Sequence, residues 1–220
     1  MEKYIIFVEG KADATFIRDY LVFLNKNLAI SKNNQKEKEL QDTENFIRII
    51  VAGGYTAIKK SLKTKFEEIQ DFKYKILVIQ DADNSNTDPN NGGTELRIKY
   101  LEEIKKELKV NFKIFLFPNN ENDGDLETLL LKIVNREKFN PAFDCYKKYA
   151  DCTKEIGSNE FSKELLEDKR LVFNYFRTYY GMEMAREEKR IFTTEYWRLT
   201  SKKLEPLKKF LNNIIKRNDE

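Results

Sequence analysis

The sequence predicts an α/β fold: a parallel four-stranded sheet flanked by helices, followed by a C-terminal helical extension. Three observations carry this. Short runs of β-branched and aromatic residues alternate four times with segments of helical periodicity, which implies parallel strands joined by right-handed crossovers. Each run ends in glycine, acidic or proline-asparagine punctuation. The strand pattern then stops at Asn135, and only helical periodicity follows.

Tyr4 to Val8 is the first strand, and Glu9-Gly10 ends it, the glycine letting the chain turn sharply. Phe16, Ile17, Tyr20, Leu21 and Leu24 recur at helical spacing. Ser31 to Asn45 is strongly polar and reads as a mobile excursion or a frayed helix tip. Phe46 to Val51 is the second strand, ending at Ala52-Gly53-Gly54, and Tyr55 to Ile69 continues as one amphipathic helix. Lys75 to Gln80 is the third strand and leads into Asp81-Ala82-Asp83. Asn84 to Gly93 is loop by every turn signal, and Thr94 caps a helix running to about Leu108. Phe112 to Phe117 is the fourth strand; beyond Pro118 to Gly124, Asp125 leads into an apolar helix, Leu126 to Val134. Further on, Leu165–Tyr180 and Leu204–Ile215 read as helices, with Tyr175, Phe176, Tyr179 and Tyr180 as packed core. Pro141 is the clear punctuation near the boundary at 135–141.

The 220 residues suffice for one α/β domain plus an appendage. No apolar run approaches the ~18 residues of a membrane span, so no membrane association is expected. The chain opens into a strand, so no signal peptide is expected either. Cys145 and Cys152, without histidine or further cysteine, make a poor zinc site, and a reducing cytoplasm is the expected location. Net charge is +3; residues 136–220 carry 19 Lys+Arg against 15 Asp+Glu, so the positive surplus lies there and hints at a polyanion partner. Histidine is absent, which excludes serine-histidine and cysteine-histidine nucleophile systems and histidine zinc hydrolases. Hydrolytic chemistry would have to run on carboxylates, lysine or metal-bound water.

Three strand ends carry acids: Glu9 with Asp13, Asp81 with Asp83, and Asp125 with Glu127. In a parallel sheet those ends share one edge, where open α/β sheets bind their ligands. Converging carboxylates repel and raise each other's pKa, and divalent cations relieve this, with oxygen ligands suiting Mg²⁺ or Mn²⁺. Asp81-Ala82-Asp83 could bridge two ions spaced for phosphodiester chemistry. Taken singly, each motif has a plainer explanation. A lone Asp-x-Asp is more often a turn, Asp13 and Asp125 could each cap a helix, and Gly53-Gly54 could be only a tight turn. A receiver-like acidic domain is the nearest structural competitor, but the glutamate-glycine turn fits it badly.

These residues resemble the Toprim superfamily, the catalytic domain of topoisomerases, bacterial primases, OLD-family nucleases and some ribonucleases. The resemblance rests on Glu9-Gly10 in IIFVEGKAD and Asp81-Ala82-Asp83 in LVIQDADN. It implies a Toprim/Rossmann-like catalytic domain in residues 1–135 and a helical C-terminal extension in 136–220. The spacing of Glu9 and Asp13 is similar to that in OLD-type nucleases, and Phe117-Pro118 with Gly124-Asp125-Leu126-Glu127 resembles small stand-alone Toprim-like proteins. It further implies that Glu9, Asp13 and Asp81 hold one metal, that Asp83 is a ligand or bridge, and that Glu127 completes a second position. Lys169 stands where OLD-type nucleases use a C-terminal lysine, though a solvated helix lysine is the plainer expectation; their serine near the second metal has no clear counterpart. No G-x-x-x-x-G-K-[ST] occurs, so the ATPase of OLD proteins is missing.

The expected function is therefore a two-metal Mg²⁺- or Mn²⁺-dependent nuclease acting on DNA or RNA. Glu9, Asp81, Asp83 and Lys169 would be its catalytic residues. Lys11 is expected to meet phosphate, and Arg177, Arg186, Lys189 and Arg190 to grip the nucleic-acid backbone without reading sequence. The rival expectation is a non-catalytic Toprim scaffold that binds nucleic acid or a protein partner. A third is phosphoryl transfer on a small nucleotide.

Overall fold

The computed structural model describes residues 1–86 and 88–215, save the side chains of Asn213 and Ile215. Strand β1 (Glu2–Val8) leads into helix α1 (Lys11–Leu24); β2 (Ala29–Asn33) and β3 (Glu37–Gln41) form a hairpin before β4 (Asn45–Val51). Helices α2 (Ala57–Thr64) and α3 (Phe66–Phe72) precede β5 (Lys75–Asp81), and α4 (Thr94–Leu108) precedes β6 (Lys113–Phe117). Then come α5 (Leu126–Ile133), α6 (Arg136–Glu155), α7 (Asn159–Glu164), α8 (Asp168–Tyr180), the short α9 (Met182–Ala185), two 3₁₀ turns and α10 (Glu205–Ile215).

The sheet has six strands in the order β2-β3-β4-β1-β5-β6, not the four expected. The four expected strands form its parallel part, β4-β1-β5-β6, and β2 and β3 add an antiparallel edge. That edge occupies most of the polar stretch read as a mobile excursion. Its sequence, EKELQ in β3, has only Leu40 to bury, so periodicity gives no signal. Ion pairs hold it instead: Arg48 of β4 joins Glu37 of β3 to Glu68 of α3, and Lys32 of β2 also meets Glu37. The buried Lys38 donates to the Asn34 carbonyl at 2.8 Å.

Strand β1 is buried on both faces, as central parallel strands are. Tyr4, Ile6 and Val8 point into one core with α1, α5 and the C-terminal helices, whereas Ile5 and Phe7 point into the other with α2, α3 and α4. The first core continues through Phe16, Phe192, Phe176 and the fully buried Trp197, so residues on both sides of Asn135 pack together. Tyr175 and Phe176 are buried as expected, and Tyr179 and Tyr180 are partly so.

Four boundaries differ from the expected ones. The helix read as Tyr55–Ile69 is two helices, broken at Lys65. Pro141 does not punctuate: it lies inside α6, where only one intrahelical bond is lost to it. The segment read as starting at Leu165 begins its long helix at Asp168. Gly93, not Thr94, is the N-cap of α4, and the Thr94 N–H is satisfied from another loop, by Asp123 Oδ1 at 2.9 Å.

Candidate acid cleft

The C-terminal ends of β4 and β1 are tied together by main-chain bonds that fix Glu9. Gly53 and Gly54 take φ of +91° and +115°, a region open to glycine, and both N–H groups donate to the Glu9 carbonyl at 3.0 and 3.2 Å. Gly10 is different. Its φ of −123° is extended backbone that any residue adopts, so the turn from β1 into α1 does not itself require a glycine there. Its N–H donates to Asp13 Oδ2 at 2.7 Å, which makes Asp13 part of the start of α1 as well as a cleft residue.

Asp81 reaches across to α5, accepting the Leu126 N–H at 2.9 Å. A carboxylate at a helix N-terminus is favoured by the unpaired amides and dipole there. Asp125 is the N-cap of that helix and accepts from the Thr128 N–H and hydroxyl, each at 2.8 Å. Its other oxygen lies 3.7 Å from Lys169 Nζ. Glu127, in the first turn of α5, is buried and paired with the buried Arg190, Nη1 to Oε1 at 3.4 Å.

Glu9, Asp13, Asp81 and Glu127 line one cleft of about 400 Å³. Its outer wall is C-terminal: Glu164 and Glu167 before α8, Lys169, Arg170 and Phe173 on it, and Glu187 and Arg190 from the segment after α9. Seven carboxylates thus face three cations, each of which is already in an ion pair: Arg190–Glu127, Arg170–Glu164 and Lys169–Asp125. The cleft is electrostatically short of positive charge.

Titration follows from that deficit. Burial, and then the neighbouring Asp83 charge, raise the Glu9 carboxyl. Burial pushes Asp13 up to about 7; the Gly10 N–H opposes this, and Glu127, Glu9 and Glu187 add to it. Asp81 rises well above the ordinary range through burial and then Asp13, Glu9, Asp125 and Glu127. Burial and Asp125 raise Glu127, with Arg190 and Lys169 opposing. Burial alone would lower Lys169, but Asp125, Glu127, Asp81 and Asp83 outweigh it and hold the ammonium up.

Asp83 is not with Asp81 in the cleft lining. Its φ of +57° breaks strand alternation, and its main chain exchanges two 2.8 Å hydrogen bonds with Gly124. The carboxylate pairs with Arg97, which is buried and stacked on Tyr55, 3.6 Å from the ring centre. A buried guanidinium needs a counter-charge, and Asp83 supplies it. Asp83 is thus engaged by Arg97 instead of lining the cleft beside Asp81, although its charge is still felt at Glu9.

The expected nucleic-acid grip is only partly assembled. Arg190 is buried in the cleft rather than displayed on a surface. Lys11 and Arg186 line a groove beside the cleft, together with Glu9 and Gly53-Gly54. Arg177 and Lys189 are exposed, Lys189 lying 3.5 Å from Glu183, and neither lines the cleft. Sequence reasoning did not single out Arg97, Asp123, Glu187 or the roles of Gly53 and Gly54 as Glu9 anchors. Asp123, in the polar turn after β6, joins Ser85 to Thr94 and is held at about 2 chiefly by the Ser85 hydroxyl and the Thr94 and Ser85 amides.

Among the described residues no group of three or more His, Cys, Asp or Glu is already arranged to hold a metal ion. The donors nonetheless suit a hard cation: they are all oxygen, and Glu9 Oε2 is buried without a hydrogen-bond partner. Nor is any helix among those residues long and apolar enough to cross a membrane.

A family model described as a protein of unknown function, DUF3226, matches residues 3–216. Comparison with curated proteins gives no match. Among solved structures, the fold is similar to that of the hypothetical protein PH0156 from Pyrococcus horikoshii OT3. The TM-score is 0.55 at 16% identity, over 98% of this chain and 100% of that one. A futalosine hydrolase mutant of Helicobacter pylori strain 26695 matches over 53% of this chain and 66% of its own, with TM-score 0.27 and 12% identity. Helicobacter pylori MTAN matches over 52% and 65%, with TM-score 0.26 and 10% identity.

Proposed function

The chain belongs to the DUF3226 family, of unknown function, and from that premise we propose that it is a metal-dependent nuclease of Toprim type, working in the cytoplasm on DNA or RNA. One observation carries this: Glu9, Asp13, Asp81 and Glu127, brought from three strand ends into one cleft, all have raised carboxyl pKa values through burial and mutual repulsion. A shared divalent cation would relieve that repulsion.

Glu9, Asp13, Asp81 and Glu127 would hold Mg²⁺ or Mn²⁺. When bound, such ions supply Lewis-acid stabilisation of phosphate oxygens and lower the pKa of bound water. The chain's own residues do the rest. Lys169, two-thirds exposed at the rim, offers its ammonium to a phosphate oxygen. Asp13, whose carboxyl burial pushes up to about 7, would give up its proton on taking the ion, so cation binding at this cleft is linked to proton release. Lys11 and Arg186 are the two cations of the adjoining groove, set among Glu9, Glu187 and Glu188, and would meet a backbone phosphate there only singly. Arg190 keeps Glu127 in place, so its role is positioning.

A second reading draws on the Asp83–Arg97 pair, which withdraws one expected ligand: a scaffold that binds nucleic acid or a protein partner without cutting. The two separate in a cleavage assay on single- and double-stranded DNA and RNA with Mg²⁺ or Mn²⁺. The nuclease reading expects cutting that chelator, Glu9→Ala and Asp81→Ala each abolish. Cutting that survives both substitutions overturns it. Nucleic-acid binding indifferent to chelator, without cutting, favours the scaffold, and hydrolysis of free nucleotides alone favours small-nucleotide chemistry.

A further inference from the structure

Helix α6 presents charged side chains around most of its exposed surface, but one line along it is different. Cys145, Tyr149, Cys152 and Ile156 succeed one another at steps of four, three and four residues, the spacing of a single helical face. All four are exposed, Tyr149 at 54% and Ile156 at 78% of full accessibility. Phe161 of α7 stands edge-on to Tyr149, ring centres 6.3 Å apart, and widens the patch. The adjoining side of α6, about a quarter turn round, is anchored: Phe139, Ala142, Ala150 and Thr153 are buried, and the Tyr146 hydroxyl donates to the Asn174 carbonyl at 2.8 Å. The apolar line is thus held rigidly outward, as association surfaces are.

The flanking charges select the occupant. On the open flank stand Lys148 and Glu155, both exposed and seven residues apart; on the other are Tyr146 and Thr153, turned to the body of the protein. We propose that a second copy of this chain covers the line, its α6 running antiparallel about a two-fold axis near residues 150 and 151. Tyr149 then meets the partner's Cys152, Cys145 meets the partner's Ile156, and Lys148 lies opposite the partner's Glu155, twice over by symmetry. A parallel pairing would set Lys148 near the partner's Thr153 and leave the charges unmatched. Such a contact falls in the small class of interfaces, below about 1,200 Å², so the dimer is weak and concentration-dependent. It does not depend on the nuclease reading.

Sedimentation velocity over low- to high-micromolar protein tests this. Wild type is expected to pass from monomer to dimer, and Ile156→Glu to weaken dimerisation at least tenfold. Lys148→Glu and Glu155→Lys should each weaken it, and the double exchange should restore it, a rescue that only pairing between copies requires. Cross-linking reads the geometry. At a rise of 1.5 Å per residue the two Cys152 are offset by about 5 Å along the helices and the two Cys145 by about 17 Å. A short bis-maleimide should therefore trap the dimer of Cys145→Ser but not of Cys152→Ser. A chain monomeric throughout, a dimer unmoved by Ile156→Glu, charge exchange without rescue, or trapping through Cys145 instead would each overturn the proposal.

Discussion

Arg190 Nη1 lies 3.4 Å from Glu127 Oε1 with both side chains buried, so the C-terminal segment sends a guanidinium into a cleft that the sheet builds. Removing one member of a buried pair strands the other charge, at a cost of about 3–5 kcal/mol. Arg190→Ala is expected to lower stability by an amount near the lower end of that range. Adding Glu127→Gln should recover much of the loss, because the stranded carboxylate goes with it. Denaturant midpoints of the two single variants and the double would measure this; additive losses would mean the two groups are not coupled.

Asp13 makes stability depend on pH in a defined direction. In the fold burial pushes its carboxyl up to about 7, against an ordinary value of 3.8. Between those values the folded state keeps a proton that the unfolded chain has released, so this group's contribution falls as pH rises through that window. Asp13→Asn removes the titration. Its melting temperature relative to wild type should therefore climb from acid to neutral pH, and a difference that is flat or shrinks would contradict the assignment.

The edge hairpin should depend on one residue. Arg48 joins Glu37 to Glu68 and lies over Tyr74, while β3 buries only Leu40 among its own side chains of apolar type. Arg48→Met is expected to cost about 3 kcal/mol, the lower end for stranding a buried partner, and to speed amide exchange across β2 and β3 more than across β1 and β5. Uniform acceleration over the whole sheet would show that the hairpin is not a separate weak unit.

The parallel strands were legible in the sequence because their burial writes itself as unbroken apolar runs, as in YIIFV and KILVIQ. The hairpin was not, because charge pairing rather than apolar alternation holds it, and ion pairs between Arg48, Glu37 and Glu68 leave no periodic trace. The meeting of Glu9, Asp13, Asp81 and Glu127 followed from topology alone, since parallel strands place their carboxyl ends on one edge. The engagement of Asp83 by Arg97, fourteen residues on, was not legible, because it depends on a left-handed backbone at Asp83 and on the packing of α4. Arg190 was misread for a related reason: basic residues in a charged segment look alike until a buried carboxylate is found to claim one of them.

That the four acids share a cation is tested most directly by calorimetric titration of the protein with Mn²⁺ at slightly alkaline pH. Wild type is expected to bind at sub-millimolar Mn²⁺ and to gain thermal stability with it. Glu9→Gln and Asp81→Asn should each weaken binding by roughly tenfold or more, about 1.4 kcal/mol at the least. Absence of binding at millimolar Mn²⁺, or equal affinity in wild type and both variants, would contradict the account.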